Sequence, residues 1–250
     1  MDETLHPRRR LEIEGAHNVR DLGGYRTRDG NRTRWMRFLR ADSLHLLSSD
    51  ARTALLDYGL HTVIDLRRTN ETRAAPNVFA RSSSVKYHHL NMIGDEDLVL
   101  KPIPENAGPF RRIAHSYCGF LDKCQVQVGR ILGTLADVGN QAALFHCAGG
   151  KDRTGIISAL LLSLAGVPEE TIAADYGLTA RYMTAPYLTH PEADPEIRTW
   201  ADYQRVYCPP ETMLLVLDHL ERLYGGVESY VRTAGLSEDQ IGRLRDTLVE

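Results

Sequence analysis

Apolar and polar residues follow two different periods along this chain. Ala142 to Phe145 is a short unbroken apolar run, the pattern of a strand buried on both faces, and Thr154 to Leu162 is apolar around most of a helix. Arg37 to Leu39, His61 to Leu66 and Val85 to Leu90 also read as strands. Tyr25 to Trp35 reads as a hairpin turning at Asp29-Gly30. Ser49 to Tyr58 reads as a helix, capped by Ser48 or Ser49 and stopped by Gly59. Residues 91–110, with Asp95-Glu96-Asp97 and Pro102, Pro104 and Pro109, read as a long loop, and one helix is expected from about 111 to 138. Gly166-Val167-Pro168-Glu169-Glu170 opens another helix, with Pro168 near its first turn. Two helices, at about 211–224 and 238–249, close the chain, the second behind the capping box of Ser237-Glu238-Asp239-Gln240. Residues 1–14 are expected to form a mobile or loosely docked tail. This alternation predicts an α/β fold with a central, mainly parallel, twisted sheet flanked by helices. Residues 1–250 are taken as one domain, with a ligand site at the carboxyl ends of the strands.

The sharpest chemical signal lies between the apolar strand and the apolar helix. Residues 146–155 read His-Cys-Ala-Gly-Gly-Lys-Asp-Arg-Thr-Gly. A glycine-containing loop between a strand and a helix aims backbone N–H groups and a helix N-terminus at an anion. A cysteine in that loop feels the same positive potential, so Cys147 is expected as a thiolate at neutral pH. The planar fork of Arg153 holds two oxygens of one phosphate. These parts fit transfer of a phosphoryl group to sulfur followed by hydrolysis. The spacing alone is weak, because chance supplies about 0.4 occurrences of Cys-x5-Arg in such a chain. A second copy, Cys124 to Arg130, lies in a helical segment with no glycine pair. A nucleotide-cradling loop is excluded, because Phe145 stands where its first glycine belongs.

The loop resembles the signature of the cysteine-dependent protein tyrosine phosphatase superfamily. Its Gly-Lys-Asp-Arg-Thr form is similar to a bacterial branch, the tyrosine/serine phosphatases related to mycobacterial protein tyrosine phosphatase B. Asn18 to Tyr25, Arg40 to Leu44, Val63 to Arg67, and Tyr224-Gly225-Gly226 through Ala234-Gly235-Leu236 resemble that branch in the expected order. Together they extend from about residue 15 to 250. The resemblance implies Cys147 as nucleophile and Arg153 as phosphate clamp. It implies that His146 orients the loop and favours the thiolate, and that Thr154 assists breakdown of a phosphocysteine. Ala148, Gly149, Gly150, Lys151, Asp152 and Arg153 form the expected phosphate cradle.

The acid that protonates the leaving group is less plain. No Trp-Pro-Asp loop precedes the cysteine. Asp65, at the end of a strand, leads slightly over Asp152, inside the loop; Asp95, Asp97 and Glu105 follow. The alternative reading of Asp65 is an ion pair with Arg67 or Arg68. Lys151 adds a second positive charge suited to a dianion or a second phosphate. Arg20, Arg40, Arg67, Tyr182 and Tyr187 are candidates for the substrate rim. Residues 178–210 carry five prolines, and five of the eleven Tyr fall between Tyr176 and Tyr207. They read equally as aromatic packing between helices or as a helical lid, which the resemblance supports. Cys208 is a candidate disulfide protector of Cys147.

Composition narrows the setting. Hydrophobic residues make up 42% and charged residues 25%, and the net charge is −3, so nothing draws the whole protein to nucleic acid. Ten Arg lie within the first 40 residues. Arg8-Arg9-Arg10 reads as a solvated surface, with no apolar signal core behind it. No apolar span reaches membrane length, so no integral membrane association is expected. Four Cys make no disulfide framework. A cytoplasmic setting suits a catalytic thiolate, although export without a signal segment stays open. His88-His89, His115 and Cys118 match no compact zinc spacing, and this chemistry needs neither metal nor cofactor. The expected substrates are phosphoproteins carrying phosphotyrosine, with phosphoserine and phosphothreonine in second place. The alternative is a small phosphorylated molecule such as an inositol phosphate, phosphoinositide, nucleotide or biosynthetic intermediate. Phosphate and vanadate are the expected inhibitors.

Overall fold

The computed structural model describes residues 3–100, 102–104 and 106–250. Its sheet has five strands: β1 (Arg20–Asp21), β2 (Phe38–Ala41), β3 (Leu60–Asp65), β4 (Lys86–His89) and β5 (Ala142–His146). The spatial order is β1-β2-β5-β3-β4, with β1 antiparallel and the other pairings parallel. The apolar run from Ala142 therefore lies at the centre, where a strand must be buried on both faces. Ala41 and Asp65 both register against His146, so three strands end together where Cys147 begins.

Alternation along β5 separates two cores. Ala143 and Phe145 pack with Phe38 and Ile64 on one face, among residues from Leu22 to Leu248. Leu144 packs with Leu39, Ala41 and Val63 on the other, beside Ala51 and Leu55 of α1 (Ser49–Asp57). Ser48 caps α1, and Gly59, at φ +97°, follows it.

Three expectations are corrected. The helix expected over 111–138 is two helices, α3 (Pro109–Lys123) and α4 (Gln125–Ala136), separated at Cys124. The apolar pattern hid the break, because Leu121 and Val128 on its two sides enter the same core. The carboxyl end holds three helices, not two: α9 (Pro210–Tyr224), α10 (Val227–Thr233) and α11 (Glu238–Leu248). Gly225 and Gly226, both at positive φ, turn the chain from α9 into the seven-residue α10. Tyr230 of α10 donates to Leu121 O at 2.9 Å. The amino-terminal segment is no loose tail. Arg9 is fully buried, with its guanidinium 3.5 Å from the Tyr25 ring centre, and Asp21 N donates to Arg9 O. Of the three arginines read as solvated, only Arg8 and Arg10 are exposed.

Between β3 and β5 lies α2 (Thr69–Ala74) in addition to α3 and α4, and after β5 come α5 (Asp152–Leu164) and α6 (Glu169–Gly177). Residues 178–210 form α7 (Thr179–Leu188), which contains Pro186, and α8 (Trp200–Tyr207).

Candidate active site

Cys147 follows β5 directly and is 1% exposed. The carbonyls after it are tied back into the scaffold. Ser43 N donates to Ala148 O at 2.9 Å, and Asn18 Nδ2 donates to Gly149 O and Gly150 O at 3.0 and 3.1 Å. Arg40 Nη2 donates to Gly150 O at 2.8 Å. Among the described residues, no N–H of Ala148 to Lys151 donates to a protein acceptor. With α5 starting at Asp152, a line of free donors meets a helix N-terminus, which is how backbone binds an anion.

Gly150 makes the turn possible. Its φ is +62°, and an added Cβ would lie 2.5 Å from the backbone of Ala41. Gly150→Ala is expected to cost roughly 1–2 kcal/mol for the left-handed backbone alone and to push the loop off β2. Thermal unfolding and kcat, measured together, should both fall; an unchanged kcat would mean that the loop tolerates the displacement.

Arg20 and Arg40, expected at the rim, are instead fully buried beneath the loop. They converge on Asp175 of α6: Arg20 Nε donates to Oδ1 at 3.1 Å and Arg40 Nη1 to Oδ2 at 2.6 Å. Tyr25 also donates to Oδ1 at 2.9 Å, and Arg20 Nη1 donates to Asn18 Oδ1. Burial works to raise the Asp175 pKa, but Arg20 and Arg40 overcome it and hold the carboxyl well below its ordinary range. Burial, and then the Arg20 charge, lower Arg40 to about 10. Two guanidiniums against one carboxylate leave positive charge under the phosphate cradle. Neither arginine reaches the surface: the guanidinium of each is held by Asp175, and by Asn18 or the loop.

Asp65, expected to lead as the acid, is a buried anchor. Arg67 grips it with two bonds, Nε to Oδ1 at 2.9 Å and Nη2 to Oδ2 at 2.7 Å. Tyr87 donates to Oδ2 at 3.0 Å, and His146 Nε2 lies 3.4 Å from the same atom. Burial raises its pKa, but the bonds from Arg67 win and hold it far below the usual carboxylate range. A group so held carries no proton to donate near neutral pH. Arg67 is likewise buried and not at the rim; its Nη1 donates to Ser43 Oγ and Ala75 O at 3.0 and 2.9 Å. His146 is fully buried, with Nδ1 3.0 Å from Cys147 O and Nε2 2.7 Å from Asn77 Nδ2. That geometry suits a ring donating from Nδ1 and accepting at Nε2, and it fixes the start of the loop.

Arg153 meets a partner that the sequence did not reveal. Its Nη1 and Nη2 donate to Glu71 Oε2 and Oε1 at 2.5 and 3.0 Å. Arg68 N also donates to Glu71 Oε2 at 2.8 Å. Helix α2 buries no side chain of its own, and Asp95 accepts from Thr69 N and Thr69 Oγ1 at 2.8 and 2.6 Å. Asp95 thus anchors the start of the helix that carries Glu71, and the bonds from Thr69 lower its pKa. Asp97 is exposed and lies 3.5 Å from Arg68, while Glu105 is outside the described residues.

Asp152 stands differently. Its side chain is 42% exposed, lies 3.5 Å from Lys151 Nζ, and accepts a hydrogen bond from Tyr117. Asp152 and Arg153 open onto a cavity of about 370 Å³ whose apolar wall is Ile93, Ile113 and Phe120. Larger cavities of about 510 and 750 Å³ touch none of residues 147–154, so size alone does not mark the site.

Over the other side of the loop, the Lys151 ammonium lies 5.6 Å from the centre of the Tyr207 ring. Tyr207, unmarked in the sequence, is the tyrosine of residues 178–210 that meets the loop at Lys151. Tyr187 packs behind it, with the two hydroxyls 2.9 Å apart, and Tyr203 meets Tyr187 edge to face and Tyr207 at a tilt. Tyr182 turns toward Arg10, whose guanidinium is 4.8 Å from its ring centre. Cys208 is a buried free thiol that burial raises to about 12. Thr154 is fully buried, and its hydroxyl has no protein partner among the described residues.

A family model described as the tyrosine phosphatase family matches residues 11–250. The chain belongs to the tyrosine phosphatase family. A tyrosine-protein phosphatase of Nostoc commune is 32% identical over 220 residues, covering 83% of this chain and 72% of that protein. The triple specificity protein phosphatase PtpB of Mycobacterium tuberculosis is 25% identical over 279 aligned positions, 95% of this chain and 98% of that protein. This phosphatase is therefore a phosphoric monoester hydrolase. No helix among its described residues is long and apolar enough to cross a membrane.

Proposed function

We propose that the phosphatase hydrolyses phosphomonoesters through a phosphocysteine on Cys147, with phosphotyrosine in proteins as its substrate. One observation carries the reading. The loop carbonyls are all turned into the scaffold, and the donors they leave meet Arg153 beside a cavity with an apolar wall. A dianionic phosphate satisfies the donors, and an aryl ring fits against Ile93, Ile113 and Phe120.

The thiolate of Cys147 attacks phosphorus as the bond to the leaving oxygen breaks, and Asp152 gives that oxygen its proton. Water then attacks the phosphocysteine, the Asp152 carboxylate takes the proton, and sulfur departs as thiolate. Arg153 follows the equatorial oxygens through both steps, held in plane by Glu71. The Thr154 hydroxyl, unpaired at the first turn of α5, is free to donate to the sulfur as it leaves.

The deciding experiment compares kcat/KM for phosphotyrosine and phosphoserine peptides, inositol phosphates and nucleotides. Phosphotyrosine should lead, and an inositol phosphate in first place would transfer the same chemistry to a small substrate. The acid is located separately. Asp152→Asn should slow esters of high-pKa alcohols by ~100-fold or more, and aryl esters with good leaving groups far less. If Asp65→Asn shows that contrast and Asp152→Asn does not, the proton comes from the strand end after all.

A further inference from the structure

We infer that Tyr117, backed by Tyr176, positions Asp152 so that one defined carboxyl oxygen delivers the proton. The inference rests on the role proposed above for Asp152. Three helices converge here: Tyr117 comes from α3, Tyr176 from α6, and Asp152 opens α5. Tyr117 donates to Asp152 Oδ1, and its oxygen lies 2.9 Å from the Tyr176 hydroxyl. The two rings meet edge to face at 6.1 Å, and both are buried in the core.

The direction of these bonds follows from counting protons. Tyr117 has one hydroxyl hydrogen, and a carboxylate only accepts. That hydrogen goes to Oδ1, so Tyr176 is the donor to Tyr117. The chain of donors points outward from the core to a side chain in the cavity wall. An unrestrained carboxyl at a helix start has two equivalent oxygens and a soft terminal torsion. Fixing Oδ1 as the acceptor leaves the proton on Oδ2. Burial raises both tyrosine hydroxyls well above their ordinary range, so they remain donors throughout the working pH range.

Charged and titratable groups from several elements face Asp152. Lys151 and Arg153 come from its own segment, Tyr117 from α3, Tyr176 from α6, and Tyr203 and Cys208 from α8 and its end. Tyr176, Tyr203 and Cys208 are neutral at working pH. Lys151 and Arg153 carry the positive charge beside it, and Tyr117 donates to its carboxylate form. That form is needed for attack by water, whereas the first step needs the protonated form. Tyr117 itself exchanges no proton in either step.

The test uses the full chain and aryl phosphates of graded leaving-group pKa. Tyr117→Phe keeps the ring and removes only the donor. The basic limb of kcat/KM against pH should move to higher pH, because the carboxylate loses a donor. Turnover of poor leaving groups should fall ~10-fold, and that of good ones much less. Tyr176→Phe should shift the profile in the same direction by less, and it reads the relay even if Tyr117→Phe folds poorly. In an Asp152→Asn background, Tyr117→Phe should add no leaving-group dependence. A loss equal at every pH and for every leaving group would make Tyr117 a packing residue and overturn the inference while leaving the acid in place. If Asp152→Asn itself lacks the leaving-group signature, the acid assignment falls and the inference with it.

Discussion

Cys147→Ser is expected to lower turnover by at least ~10⁴-fold, about 5.5 kcal/mol in the barrier, while phosphate and vanadate still bind. The two halves have separate origins. Turnover needs a sulfur anion at the end of β5, and a serine hydroxyl stays protonated in the same place. Binding needs the free N–H groups of the loop, whose geometry is set by Asn18, Ser43 and Arg40 gripping its carbonyls. None of those grips involves the residue 147 side chain. Calorimetry with vanadate and single-turnover assays on the variant read the halves independently, and a chelator should alter neither. Retained turnover, or a requirement for a divalent metal, would remove the phosphocysteine route.

Arg153→Lys should lower kcat at least ~100-fold, about 2.7 kcal/mol. The charge is kept, so the loss isolates geometry. Arg153 presents two parallel N–H bonds to Glu71, and this pairing fixes the plane of its guanidinium beside the cavity. An ammonium cannot hold both carboxylate oxygens and still face the equatorial oxygens of a transferring phosphoryl group. The loss should appear in kcat more than in KM, because the complementarity is greatest in the transition state. A near-normal kcat would reduce Arg153 to an ion-pair partner that locks α2 onto α5.

What the sequence revealed was mostly local. The strand, the glycines, Cys147, Arg153 and the following helix lie within about two dozen residues, and their pattern dictates their shape. The partners lie far away: Glu71 is 82 residues from Arg153, and Asp175 is 155 from Arg20. No periodicity announces such pairings. Asp65 was misread for a related reason. Its place at a strand end and a pairing with Arg67 or Arg68 were both legible, but which of the two readings held depends on the turn after β3. Arg9 reads as one of three solvated arginines, and only the fold shows the Tyr25 ring beneath it. Tyr207 was hidden as one of five tyrosines in this stretch until α8 placed it beside Lys151.

The ion cluster on Asp175 also bears on when during synthesis the enzyme becomes active. Asn18, Arg20 and Arg40 emerge from the ribosome well before the phosphate loop, but Asp175 emerges after it. Until Asp175 arrives, two arginines destined for the interior have no carboxylate to neutralise them, and burying them is prohibitive. The loop carbonyls then lack the buried Arg40 that holds Gly150 in place. A nascent or prematurely released chain ending before α6 therefore carries Cys147 without its cradle. Such fragments should be inert toward phosphoesters, so the reactive sulfur is withheld from the cell until the chain around it is nearly complete.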